Sequence, residues 1–219
     1  NWVNNGAPRG NPKDLPAAPV YGDSAWTLGE PDYVIEFDNY DVAGGGPDLF
    51  HDFIVETDLS EDKWITKVEI LPGASEVVHH VILWKGDRGG GNPTGWIGAW
   101  AAGADPMQFH EGSGRMLKKG AVVRGDFHYH PAEESYSDKT QVGFHFSKGE
   151  VNKELVNLWV MNSEFEIPAG ASNHEVKSRY TFAEDSHLIS LAPHMHYRGK
   201  DFVYTATYPD GTEKELLKV

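Results

Sequence analysis

The sequence predicts an all-β protein. Val, Thr, Tyr and Trp are plentiful, and 24 glycines and 13 prolines supply the turns that many short strands need. Apolar or alternating runs of strand length recur between turn formers, and no run keeps a helical period. Strands at this spacing suggest a sandwich or a barrel. The 219 residues suffice for one large or two small domains, each able to bury a core.

Residues 1–25 read as a linker or extension. Asn1 to Pro12 is dense in turn formers, and Pro16-Ala17-Ala18-Pro19 continues it in extended form. Tyr33-Val34-Ile35-Glu36-Phe37 is the first strand, and Gly44-Gly45-Gly46-Pro47 breaks the chain after it. Phe50 to Thr57 follows, then Trp64 to Leu71, which alternates as a half-buried strand does and ends at the turn Pro72-Gly73. Val77-Val78-His79-His80-Val81-Ile82-Leu83-Trp84 has the composition of a buried strand, interrupted only by its histidine pair. Gly86 to Gly103 is rich in glycine and tryptophan and reads as a long loop or short irregular strands.

Leu117-Lys118-Lys119-Gly120 makes a hairpin turn into Ala121 to His130, and Pro131 keeps His130 extended. Gln141–Phe146 is a short strand. Leu155–Met161 and Val176–Phe182 read as further strands, separated by Ile167-Pro168-Ala169-Gly170. His187 to Leu191 leads into Pro193-His194-Met195-His196. Phe202 to Tyr208, the turn Pro209-Asp210-Gly211 and Glu215 to Val219 form a closing hairpin.

Composition excludes several classes of function. A formal charge of −14 opposes binding to nucleic acid phosphates or an anionic membrane surface. The absence of cysteine rules out disulfides, Cys-ligated zinc, iron–sulfur clusters and c-type haem attachment within these residues. No apolar run approaches a membrane span. The sequence starts at Asn1 without a signal peptide, so it is expected to be a processed or excised piece of something longer.

Three histidine clusters point to metal. Neutral imidazole is the commonest protein ligand for transition metals. His194 and His196, two apart on an expected strand, share a face, as do His128 and His130. His79 and His80 are adjacent, so in a regular strand they face opposite ways. Both reach one ion only where a bulge or strong twist turns them together. Two imidazoles in a buried strand must each find a polar partner, and a metal serves both. The natural division is one three-histidine site and one His-X-His pair short of a ligand. Isolated His51, His110, His145, His174 and His187 are expected to be surface or hydrogen-bonded structural residues. Ligand type leaves copper and zinc nearly level. Zinc hydrolysis would need a base, for which Asp126 and Glu76 are the nearest in sequence.

Four of these stretches, taken in order, resemble the copper type II, ascorbate-dependent monooxygenases. That family includes the peptidylglycine α-hydroxylating and dopamine β-monooxygenases, and the likeness is to its bacterial members. The stretches are Val77-Val78-His79-His80-Val81-Ile82-Leu83, Gly125-Asp126-Phe127-His128-Tyr129-His130-Pro131, Ile167-Pro168-Ala169-Gly170 and Pro193-His194-Met195-His196-Tyr197-Arg198-Gly199-Lys200. The resemblance spans residues 26–219 and implies two jelly-roll-like β-sandwich domains, each with one copper, facing a solvent-filled cleft. They correspond to residues 26–148 and to 149–219, the latter only the first part of its domain.

The resemblance also implies roles for the histidines. His79, His80 and His128 would hold an electron-transfer copper, with His130 a secondary candidate. His194 and His196 would hold the copper where oxygen and substrate meet. The family completes that second site with a downstream methionine, and none follows Met195 here. The implied function is C–H hydroxylation of a small-molecule or peptide substrate, using O₂ and electrons from ascorbate or a haem domain. The alternatives are a non-catalytic copper-binding or electron-transfer protein, and a zinc hydrolase built on His79, His80 and His128. Trp2-Val3-Asn4-Asn5-Gly6-Ala7-Pro8 resembles the tail of a c-type cytochrome domain, which would then lie upstream. A partner would cover the unfinished second domain, and the compartment would be periplasmic or extracellular.

Overall fold

Fourteen strands carry the regular structure of the computed structural model, which describes residues 1–17, 24–93, 95–195 and 198–219. They are β1 Tyr33–Glu36, β2 Tyr40–Val42, β3 Leu49–Glu56, β4 Lys63–Leu71, β5 Val78–Gly86, β6 Gly95–Ala101 and β7 Met107–Gln108, followed by β8 Ser113–Leu117, β9 Val122–Tyr129, β10 Tyr136–Asp138, β11 Gln141–Phe146, β12 Lys153–Glu154, β13 Val203–Thr207 and β14 Glu213–Lys218. Two single 3₁₀ turns, Val3–Asn5 and Pro12–Asp14, are the helical elements described. No helix among the described residues is long and apolar enough to cross a membrane. The all-β reading of the sequence holds.

Chain contacts divide the protein into Asn1–Asn157 and Leu158–Val219. The first unit is a β-sandwich. One sheet runs β1-β11-β4-β8-β12, with β7 also paired to β4, and the other runs β3-β9-β5-β6; β2 and β10 form a separate two-stranded pair. Ile35, Ile65, Val68, Val142 and Phe144 from the larger sheet join Phe53, Val81, Leu83, Ile97, Val123 and Phe127 from the smaller in one buried cluster. At about 25 cal/mol per Å² of apolar surface removed from water, such a cluster is the main source of stability.

Residues 149–157 stay with this unit, because β12 pairs with β8 and Leu155 N–H donates to the Gly114 carbonyl. Residues 24–32 also belong to it. The buried Glu69 carboxylate of β4 accepts from the Thr27 amide and hydroxyl and from the Leu28 amide, pinning that segment to the sheet.

Among its described residues, the second unit is regular only in its hairpin of β13 and β14, closed by the Pro209-Asp210-Gly211 turn that the sequence predicts. The strands expected at Leu155–Met161 and Val176–Phe182 do not form. Both stretches have strand composition, but beyond the Leu155 bond to Gly114 no described strand pairs with either. Extended backbone without a ladder partner takes its hydrogen bonds elsewhere. Trp159, Met161, Tyr180 and Phe182 are exposed there.

Candidate metal centre

The centre lies on the outer face of the four-stranded sheet, where β9 runs between β3 and β5. Val123, Gly125, Phe127 and Tyr129 of β9 point into the core, so Arg124, Asp126 and His128 point outward. Gly125 is required by its neighbours: a Cβ there would come within 2.8 Å of the Phe37 ring and 2.6 Å of Phe127. Those rings meet edge to face, with centroids 5.1 Å apart. His128 therefore stands on a strand fixed from beneath by aromatic packing.

A β-bulge in β5 solves the problem of adjacent histidines. Val78 pairs with Tyr129 and His80 with His128, so His79 is the additional residue on that strand. Val78 and Val81 both enter the core, and the two histidines between them turn outward together. His79 Nδ1 and His80 Nδ1 lie 3.1 Å apart. The His128 ring centroid is 4.6 Å from that of His79 and 4.8 Å from that of His80. One ligand atom from each of the three residues falls within 4.8 Å of the others.

These residues fit a transition metal. Two nitrogens bound to one ion at 2.0–2.1 Å are about 2.8–3.4 Å apart for angles from square to tetrahedral, which brackets the His79–His80 separation. The group is all imidazole, a donor set suited to copper, zinc, iron or nickel. His79 is exposed and the other two are partly buried, so one side stays open to solvent. Burial, reinforced by His128 and His79 nearby, holds His80 below the usual imidazole pKa and favours the neutral form that binds metal.

Two residues of the β3 segment frame His128. Phe50 lies opposite it in the ladder and stacks on its ring, with centroids 4.4 Å apart at 15°. Asp48 Oδ2 lies 2.8 Å from His128 Nε2, and Asp48 Oδ1 lies 2.7 Å from His130 Nδ1. The loop before Asp48 packs backbone to backbone on residues 132–134. Gly45 N–H donates to the Ala132 carbonyl, and a Cβ on Gly44 would sit 2.3 Å from the Glu133 carbonyl oxygen. This contact brings Asp48 to the end of β9. Neither Asp48 nor Phe50 carries a sequence signal, because their proximity to His128 arises through the long-range pairing of β3 with β9 and the loop contact before it.

The other candidates fall as follows. His130 lies next to the three-histidine group but outside it, bound to Asp48, with its amide donating to the Val77 carbonyl. His194 is exposed in the second unit on a stretch that is not a strand, against the expectation of a strand there, and His196 lies outside the described residues. His51 packs against the Tyr40 and Phe53 rings. Asp126 accepts from Trp84 Nε1 at 2.7 Å and faces Arg124 Nε at 2.6 Å. Those partners already engage both carboxylate oxygens. Comparison with protein-family models, with curated proteins and with solved structures finds no match.

Proposed function

We propose that the chain is a copper-binding part of a copper-dependent monooxygenase, with His79, His80 and His128 as its electron-handling centre. The observation that carries this reading is the bulge at His79, which faces two successive histidines toward a third on the neighbouring strand. Copper bound there would supply one-electron redox chemistry. The protein's part is to present three imidazoles from two paired strands with little freedom to move, and to leave one side open to an electron donor such as ascorbate or a haem domain. In this reading His194 and His196 would serve a second copper for C–H hydroxylation with O₂ in an exported, periplasmic or extracellular protein.

A copper-binding or electron-transfer protein without oxygen insertion is the second reading. It is favoured by the contrast between the three-histidine group, gathered within the first unit, and His194, on a stretch without strand structure. Zinc hydrolysis has less support, because Asp126 is held by Trp84 and Arg124.

The test is to strip the protein with a chelator, offer copper and zinc in competition, and add ascorbate. The copper reading expects copper to be retained over zinc and reduced by ascorbate. Incorporation of labelled oxygen into an offered peptide or small-molecule substrate then separates the monooxygenase from the electron-transfer protein. Zinc retention, or copper that ascorbate does not reduce, would contradict both copper readings.

A further inference from the structure

We propose that Asp48 is a positioning residue of the centre, setting the tautomer and ring orientation of His128 so that its Nδ1 is the nitrogen left for an ion. The inference rests on the copper reading of His79, His80 and His128.

The argument starts from what an ionised carboxylate can do. It only accepts hydrogen bonds, so a ring nitrogen 2.8 Å from Asp48 Oδ2 must be the donor. His128 is then protonated on Nε2, and in a neutral imidazole Nδ1 keeps its lone pair. The second oxygen is committed in the same way, since His130 Nδ1 lies 2.7 Å from Oδ1. With both oxygens engaged, rotation of the carboxylate away from His128 would break two bonds at once. Phe50 stacked on the ring limits tilting of His128 in the other direction. His130 thus acts through Asp48 rather than as a ligand. An outer carboxylate on a metal-binding histidine is a recurrent way of fixing the tautomer and raising ligand basicity. Here it comes from a loop that the Gly44–Glu133 backbone contact holds in place.

The test uses Asp48→Ala and Asp48→Asn in the full chain, with two readouts. Nitrogen NMR of the metal-free protein reports the His128 tautomer: protonated Nε2 in wild type, a mixture in Asp48→Ala. Chelator competition should show Cu(II) bound about 10–100-fold more weakly by Asp48→Ala, with a smaller loss for the shape-conserving Asn. The EPR parameters of bound copper should shift in Asp48→Ala. The Asp48 side chain is 43% exposed, so both variants should melt close to wild type. Unchanged tautomer, EPR and affinity in Asp48→Ala would overturn the proposal. A wild type that binds no copper would overturn the copper reading instead, and the tautomer measurement would still decide the role of Asp48.

Discussion

Val78 and Val81 lie three residues apart on one strand, yet both face the core, 2% and 0% exposed. A regular strand puts residues three apart on opposite faces. The bulge reconciles the two, and its product is a pair of outward histidines opposite His128.

Deleting His79 tests that relationship. The shortened strand would alternate regularly, with Val78 and Val81 still inside and His80 still outside. The variant should fold with a thermal midpoint near wild type. Its copper affinity should fall by more than the roughly 10–100-fold typical of losing an outer-shell partner. A deletion variant that binds copper as wild type would contradict the assigned centre, and one that unfolds would show that the core requires the bulge.

His130→Gln separates ligand from supporting residue. His130 touches Asp48 but lies outside the three-histidine group. Copper affinity in His130→Gln should stay within about tenfold of wild type, whereas His128→Gln should lose far more. Equal losses in the two variants would make His130 a ligand.

Gly125→Ala should destabilise the first unit. The added methyl would press on Phe37 and Phe127, both buried to within 2%. Overpacking of this kind costs about 1–3 kcal/mol, readable as a lowered urea midpoint at unchanged slope. No change in the midpoint would mean that the aromatic cluster yields freely.

Acid should loosen the segment that Asp32 anchors. Burial raises the Asp32 carboxyl pKa, but Lys148 and the Phe146 amide outweigh it, so the folded value lies below the usual one. A depressed carboxyl pKa stabilises the fold above the unfolded value, about 3.9 for Asp. That contribution is lost as pH falls through the lower folded value. Asp32→Asn should therefore be less stable than wild type near neutrality and lose less stability on acidification below about pH 4. Parallel pH profiles for the two proteins would contradict the Asp32 anchor.

Much of the fold was legible because the longer strands announce themselves. β3, β4, β5, β9 and β11 each carry an apolar or alternating run that meets the core. β6 lies in a stretch whose sequence suggests a long loop or short irregular strands, because Gly95 and Gly98 weaken the strand signal. It forms because Ile97 enters the core and Gly98 leaves room for the Met107 sulfur. β8 was hidden by its central Arg115. That guanidinium lies over the Trp96 and Phe109 rings and donates to the Leu155 carbonyl and Asn157, all supplied by tertiary contact. The two- and three-residue strands β2, β7, β10 and β12 are too short for any period to show. At the site, the three histidines and the need for a bulge were readable, since strand geometry poses the question. Asp48 was not, because 80 residues separate it from His128 and only tertiary contacts, the β3–β9 register and the loop before it, join them.

The most direct measurement is pulsed EPR of chelator-stripped protein loaded with Cu(II) at about half an equivalent, a stoichiometry that fills only the tighter site. Wild type should show three imidazole nitrogens on the copper, and His79→Ala, His80→Ala and His128→Ala should each lose one. A wild-type spectrum unaltered by all three substitutions would place the copper elsewhere and contradict the assigned centre.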